Sequence, residues 1–100
     1  MAKILIIEDE PCLRENLIEA LEMEQFETLS AKDGRQGIVF AQRDHPDLIL
    51  CDVTMPGLDG YGVLQALRKD PATARIPFVF LTALSEHADV RATEQLRCGA

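Results

Sequence analysis

Four oxygen-bearing side chains each follow or close an apolar run of the sequence and could together carry out phosphoryl chemistry. Glu8 and Asp9 follow the run ILII, and Asp52 follows LILC. Thr82 closes the run FVFLT. Carboxylate oxygens are the ligands that Mg²⁺ prefers, and bound Mg²⁺ often shares phosphate oxygens. A carboxylate can also attack phosphorus and form an aspartyl phosphate.

The elements that must position these residues begin with four short runs typical of strands, three of them apolar and the second a weaker run with partial alternation. These runs are Ile4–Ile7, Phe26–Ala31, Leu48–Cys51 and Phe78–Thr82. The first and third are apolar at every position, which is typical of strands in a parallel sheet that is covered on both faces.

Helical features fill the stretches between these runs. Pro11 suits the first turn of a helix, and the apolar residues behind it recur at helical spacing. Asp33 suits the N-cap of a second helix, whose short apolar face we expect to consist of Ile38, Val39 and Ala41. We expect a third helix to end at Pro71 and a fourth to begin at Ser85. The predicted order is therefore βαβαβαβα.

This order predicts an α/β domain with a parallel sheet and helices on both faces. In such sheets the ligand site lies at the carboxyl ends of the strands, near a switch in strand order. Glu8, Asp9, Asp52 and Thr82 are therefore expected to converge at one edge of the sheet.

Asp52 is assigned as the nucleophile of this predicted site. It enters a loop in which Gly57 and Gly60 would let the backbone approach closely. The neighbouring pair Glu8 and Asp9 is assigned to Mg²⁺. Each acid taken alone could instead cap a helix or lie in a solvated turn, but matching positions at several strand ends favour the phosphoryl site.

Composition and charge exclude several classes of function. The net charge is −7, and residues 8–27 contain eight acids and one base. No cluster of Lys and Arg could neutralise several phosphates, so direct binding of nucleic acid is not expected. No apolar run approaches the ~18 residues of a membrane span, and the acidic N-terminal segment is unlike a signal peptide. We therefore expect a cytoplasmic protein.

These residues resemble the receiver domain of two-component response regulators along the whole chain. The matching segments are Glu8-Asp9-Glu10, LILCDVTMPGLDGYGVL at 48–64, Ile76-Pro77 before FVFLTA, and Gly99-Ala100. The most specific signal is Asp52 followed by Met55-Pro56 and Asp59-Gly60.

The resemblance implies a flavodoxin-like, doubly wound sheet with strand order 2-1-3-4-5. It implies that Asp52 accepts a phosphoryl group from a phosphohistidine of a sensor histidine kinase or phosphotransfer protein, with Mg²⁺ required. The domain would then switch conformation to control an output. Such a domain catalyses its own aspartyl phosphorylation and dephosphorylation, and it is a signalling module, not a turnover enzyme.

The resemblance also implies roles for the residues around the phosphoacceptor. Asp9 would ligate Mg²⁺ directly, Glu8 would do so through water, and the backbone carbonyl of Thr54 would supply another ligand. Thr82 would donate a hydrogen bond to the phosphoryl oxygen and move inward on activation. The small side chain of Ala83 would leave the site open to the phosphodonor.

The sequence departs from the family's pattern near its C-terminal end. The family carries a lysine and an aromatic switch residue on a fifth strand, whereas the lysines here are Lys3, Lys32 and Lys69. We therefore expect residues 1–100 to form a receiver domain that is incomplete at the C-terminus and lacks the last βα unit. Truncation is favoured over a natural fragment.

Two other classes of function are weighed against a phosphorylated signalling module. A phosphatase of the haloacid-dehalogenase type would need a second acid two residues after the nucleophile, where this chain has Thr54. An interaction module on a degenerate receiver fold would suit the missing lysine. The retained Glu8, Asp9, Asp52 and Thr82 oppose this second alternative.

An uncovered fourth strand predicts a property of the 100-residue chain itself. The run FVFLT would expose a flat apolar edge, which favours aggregation or strand exchange. We expect the isolated chain to be poorly stable, or to dimerise through this edge. Sedimentation and thermal scans measure this, and a monomer that melts cooperatively would contradict it.

Overall fold

Strands and helices alternate along residues 2–81, which are the residues that the computed structural model describes. The elements are β1 (Lys3–Ile7), α1 (Pro11–Met23), β2 (Glu27–Ala31), α2 (Gly34–Asp44), β3 (Leu48–Cys51), α3 (Gly60–Lys69) and β4 (Phe78–Phe80).

All four strands pair in parallel in one sheet, in the order β2-β1-β3-β4. The chain moves from β1 to one side of the sheet and then crosses back to the other. Because parallel crossovers are right-handed, this reversal places α1 on one face and the next two helices on the opposite face. The predicted doubly wound α/β fold is confirmed over these strands.

The helices begin where the sequence offers a capping oxygen. Asp33 Oδ1 accepts a hydrogen bond from the Gln36 amide at 2.8 Å, as predicted for the start of α2. Asp59 Oδ1 accepts one from the Gly62 amide at 2.9 Å and begins α3. Each bond satisfies an amide that has no partner inside its helix.

The core lies where α2 and α3 pack against the central strands. Leu5 and Ile7 of β1 and Ile49 of β3 are fully buried there. The expectation that Val39 belongs to the apolar face of α2 is wrong, because this side chain is 54% exposed. The residues of α2 that are buried are Gly34, Gly37 and Ala41. Small residues line this face because the helix lies very close to the sheet.

Two predicted features fall at or beyond the limit of the described residues. The sequence predicts the fourth strand over Phe78–Thr82, whereas the strand ends at Phe80 and Leu81 lies in a turn. Thr82, Ala83 and the predicted fourth helix from Ser85 lie outside the described residues. None of the helices within residues 2–81 combines the length and apolar content that crossing a membrane requires.

The close packing of α2 on β1 predicts that Gly37→Ala destabilises the protein. The new Cβ would lie 2.7 Å from Ile7 Cγ1, inside van der Waals contact. Overpacking of this kind costs about 1–3 kcal/mol, against a gain of about 1 kcal/mol in helix propensity. Because the new Cβ would collide with two carbons of Ile7, we take the upper part of that range, about 2–3 kcal/mol. After the gain in propensity, we expect the free energy of unfolding, measured by urea denaturation, to fall by about 1–2 kcal/mol.

Val39→Ala provides the matched control on the same helix. Its side chain is largely exposed, so we expect a change within about 0.5 kcal/mol. A Gly37→Ala variant as stable as the unmodified protein would contradict the packing of α2 on Ile7.

Candidate functional site

Strand register brings the ends of β1 and β3 side by side. Ile7 is paired with Cys51, so the next residues along the two strands are Glu8 and Asp52. The Asp52 amide donates to the Ile7 carbonyl at 3.0 Å, which continues the ladder one step past the strands. On the other side of β3, the Leu81 amide donates to the Cys51 carbonyl at 2.9 Å. The backbone at Asp52 is thus tied to both neighbouring strands.

Three carboxylates meet at this edge of the sheet. One oxygen from each of Glu8, Asp9 and Asp52 can be chosen so that all three lie within 4.8 Å of one another. Glu8 and Asp52 are buried, at 0% and 2% exposure, and Asp9 is half-buried. The convergence predicted for these three residues from their strand-end positions is confirmed.

The chemistry of this donor set fits a hard divalent cation. Two unit charges at such separations repel by on the order of 3–4 kcal/mol at an effective dielectric constant of about 20. A divalent cation reverses the sign of that interaction, and carboxylate oxygens are the ligands that Mg²⁺ and Ca²⁺ take. An acidic cluster that could bind a metal is therefore present among the described residues.

Backbone contacts support the turn that carries two of these acids. Glu8 Oε2 accepts a hydrogen bond from the Glu10 amide at 3.1 Å. The side chain of Glu10 in turn accepts from the Cys12 amide at 3.4 Å and caps α1. Arg14 Nη1 donates to the Glu8 backbone carbonyl at 2.9 Å. Sequence reasoning missed Arg14, although its position as the one base among eight acids in residues 8–27 was a signal.

Glycines shape the loop between Asp52 and α3, for two different reasons. A Cβ at Gly60 would collide with the Asp52 carbonyl oxygen and lie 3.0 Å from Val53 Cα, so the expected close backbone approach is confirmed there. Gly57 has open space around its Cα, and the expected close approach is absent. Its φ of +75° accounts for the glycine instead, because L side chains rarely adopt that conformation.

Of the three remaining predicted site residues, one lies within residues 2–81 and two lie outside them. Thr54 is exposed on the loop after β3. Thr82 and Ala83 lie outside the described residues, so their predicted roles stay predictions. Within residues 2–81, the structure therefore brings together the three acids and places Thr54 two residues after Asp52.

Comparisons with known proteins agree on one family. A family model described as the response regulator receiver domain matches residues 4–100. The chain is 45% identical over 87 residues to a probable transcriptional regulator, ycf27, of Cyanophora paradoxa, covering 87% of this chain and 35% of that protein. It is 36% identical over 89 residues to protein PilH of Pseudomonas aeruginosa, covering 89% of this chain and 74% of that protein.

A solved structure gives the same result. The signal receiver domain of a signal transduction histidine kinase from Syntrophus aciditrophicus matches with a TM-score of 0.78 and 39% identity. That match covers 100% of this chain and 74% of the other. The chain spans about a third of the length of relatives such as ycf27.

The surroundings of Cys51 predict that its thiol is inert in the folded protein. Burial, with the nearby Asp52 and Glu8 carboxylates adding to it, raises the pKa of Cys51 to about 12. Only the thiolate is a good nucleophile, so we expect no labelling of Cys51 by a thiol reagent at pH 8. Peptide mass spectrometry would detect labelling only after denaturation, and labelling of the native protein at that site would contradict the burial.

Proposed function

The chain belongs to the response regulator receiver domain family, and on that premise we propose that Asp52 is its phosphoacceptor. The phosphoryl group comes from a phosphohistidine of a sensor histidine kinase or phosphotransfer protein. The reaction requires Mg²⁺, and phosphorylation switches the conformation of the domain to control an output. The observation that carries the proposal is the convergence of Glu8, Asp9 and Asp52 at the carboxyl edge of the sheet.

The position of Asp52 supports its role as the nucleophile. It follows β3, an internal strand of the sheet, and its backbone is held by the hydrogen bond to Ile7 and by the contact with Gly60. A fixed backbone holds the attacking carboxylate in one orientation, which lowers the entropic barrier to attack. Asp9 is the more exposed acid of the β1 pair, and we assign it as the direct metal ligand.

The proposed transfer is a single displacement at phosphorus. A carboxylate oxygen of Asp52 forms the new O–P bond while the P–N bond of the phosphohistidine breaks. The electron pair of that bond stays on the imidazole nitrogen, which is left neutral or takes a proton. Bound Mg²⁺ supplies positive charge that offsets the charge on the transferring oxygens.

Residues of the chain supply the rest of the proposed site. Glu8 and Asp9 would hold the metal, Glu8 through water, and the Thr54 carbonyl would add a ligand. Thr82 donates to a phosphoryl oxygen and moves on activation, while Ala83 leaves room for the donor. The domain thus promotes its own phosphorylation and dephosphorylation, in keeping with a family of signalling domains that are not in general turnover enzymes.

Replacing the nucleophile tests the proposal directly. Asp52→Asn removes the attacking oxygen anion, so we expect incorporation of phosphate from an acyl or carbamoyl phosphate with Mg²⁺ to fall to background. Phosphate on the protein can be followed by intact mass, and its site by peptide mapping. Removal of Mg²⁺ with a chelator should abolish incorporation into the unmodified protein as well.

Asp59→Asn is the matched control, because it makes the same chemical change seven residues away. Asp59 is an exposed N-cap, and Asn caps helices about as well as Asp. Incorporation into this variant should equal that of the unmodified chain. Equal incorporation into Asp52→Asn, or steady turnover of a small phosphoester, would overturn the proposal.

A further inference from the structure

Arg14 lies on the first turns of α1 but makes its side-chain contact outside the helix. Its Nη1 donates to the backbone carbonyl of Glu8, six residues earlier, at 2.9 Å. The side chain is half-buried. Arg14 of α1 is therefore hydrogen-bonded to Glu8, the residue that directly follows β1 and supplies the first acid of the site.

This contact is one of three hydrogen bonds that hold the short turn between β1 and α1. The turn runs from Glu8 through Asp9 to Glu10, and the Glu10 amide donates to Glu8 Oε2 at its far end. The Arg14 amide also donates to the Glu10 carbonyl at 2.9 Å. Arg14 thus holds both ends of the turn, with its side chain on Glu8 and its backbone on Glu10. Asp9 lies between these two anchors.

We propose that Arg14 is a positioning residue, whose hydrogen bond to the Glu8 carbonyl fixes the Glu8–Glu10 turn so that the Asp9 and Glu8 carboxylates face Asp52 ready for a metal. The inference rests on the proposed function, because it concerns the cation that these three acids would share. Groups that orient the ligands of a metal commonly change its affinity by 10–100-fold when they are removed.

The direction of the change in metal affinity on loss of Arg14 distinguishes a positioning role from a purely electrostatic one. A guanidinium bonded to the Glu8 carbonyl would repel an incoming cation, so loss of its charge alone would tighten metal binding. Loss of the hydrogen bond frees the turn and would weaken binding. The proposal requires the second effect to exceed the first, so that removing a positive charge makes a cation bind less tightly.

The test compares Mn²⁺ binding to the full chain and to Arg14→Met, with Mn²⁺ alone as the probe and free Mn²⁺ followed by electron paramagnetic resonance. We expect the Kd for Mn²⁺ to rise roughly tenfold. Arg35→Met is the matched control, because it removes the same charge from an exposed position on α2. Its Kd should equal that of the unmodified chain or fall slightly.

Hydrogen exchange adds a readout that does not depend on metal. Without Mn²⁺, exchange of the Glu10 amide should accelerate in Arg14→Met, while the Asp52 amide, which is bonded to Ile7, keeps its protection. Arg14→Gln removes the same bond and charge with a polar side chain, and serves if Arg14→Met does not fold. It should give the same Kd change and the same local exchange.

The outcomes distinguish this inference from the proposed function. If Asp9→Asn binds Mn²⁺ as tightly as the unmodified chain, the acidic cluster is not the metal site and the proposed function fails. If Asp9→Asn weakens binding but the folded Arg14 variants bind as tightly as the unmodified chain or more tightly, only the positioning role is overturned.

Discussion

The pairing register between β1 and β3 is the constraint on which the rest of the site depends. Because Ile7 lies opposite Cys51, the acids that follow these two residues emerge next to each other. A slip of one residue would turn every side chain of a strand to the other face of the sheet. The register is secured by close packing on both faces, since Ile4–Ile7 are all at most 3% exposed and a slip would put each side chain into a space shaped for its neighbour. The apolar core therefore determines where the acids meet.

Bringing three carboxylates to one place opposes folding unless the surroundings compensate. Glu8 and Asp52 are both buried, where charge repulsion is screened less than at the surface. Hydrogen-bond donors offset part of this repulsion. The Glu10 amide donates to the Glu8 carboxylate, and the Arg14 guanidinium donates to the Glu8 backbone carbonyl. A divalent cation held by these three acids would remove the remaining repulsion, in keeping with the metal-dependent chemistry proposed above.

Small residues let the helices and the loop reach this edge of the sheet. Gly37 allows α2 to lie against Ile7, and Gly60 allows the start of α3 to lie against the Asp52 carbonyl. Both glycines therefore act on the residues that carry or precede the acids. The packing of α2 and of the start of α3 therefore helps to fix the backbone on which the acids stand.

The sequence by itself determined the order of the elements and the identity of the acidic cluster. Continuous apolar runs interrupted by capping residues are local signals, and the carboxyl ends of parallel strands must share an edge. The order of the elements is therefore enough to place Glu8, Asp9 and Asp52 together. Only the tertiary structure decided that Val39 faces outward and that Gly57 is required by its positive φ and not by a close backbone approach. It also decided that Arg14 reaches back to Glu8. These three features depend on how closely two elements approach, on the backbone conformation of a loop and on where a long side chain ends. The periodicity of the sequence does not encode any of them.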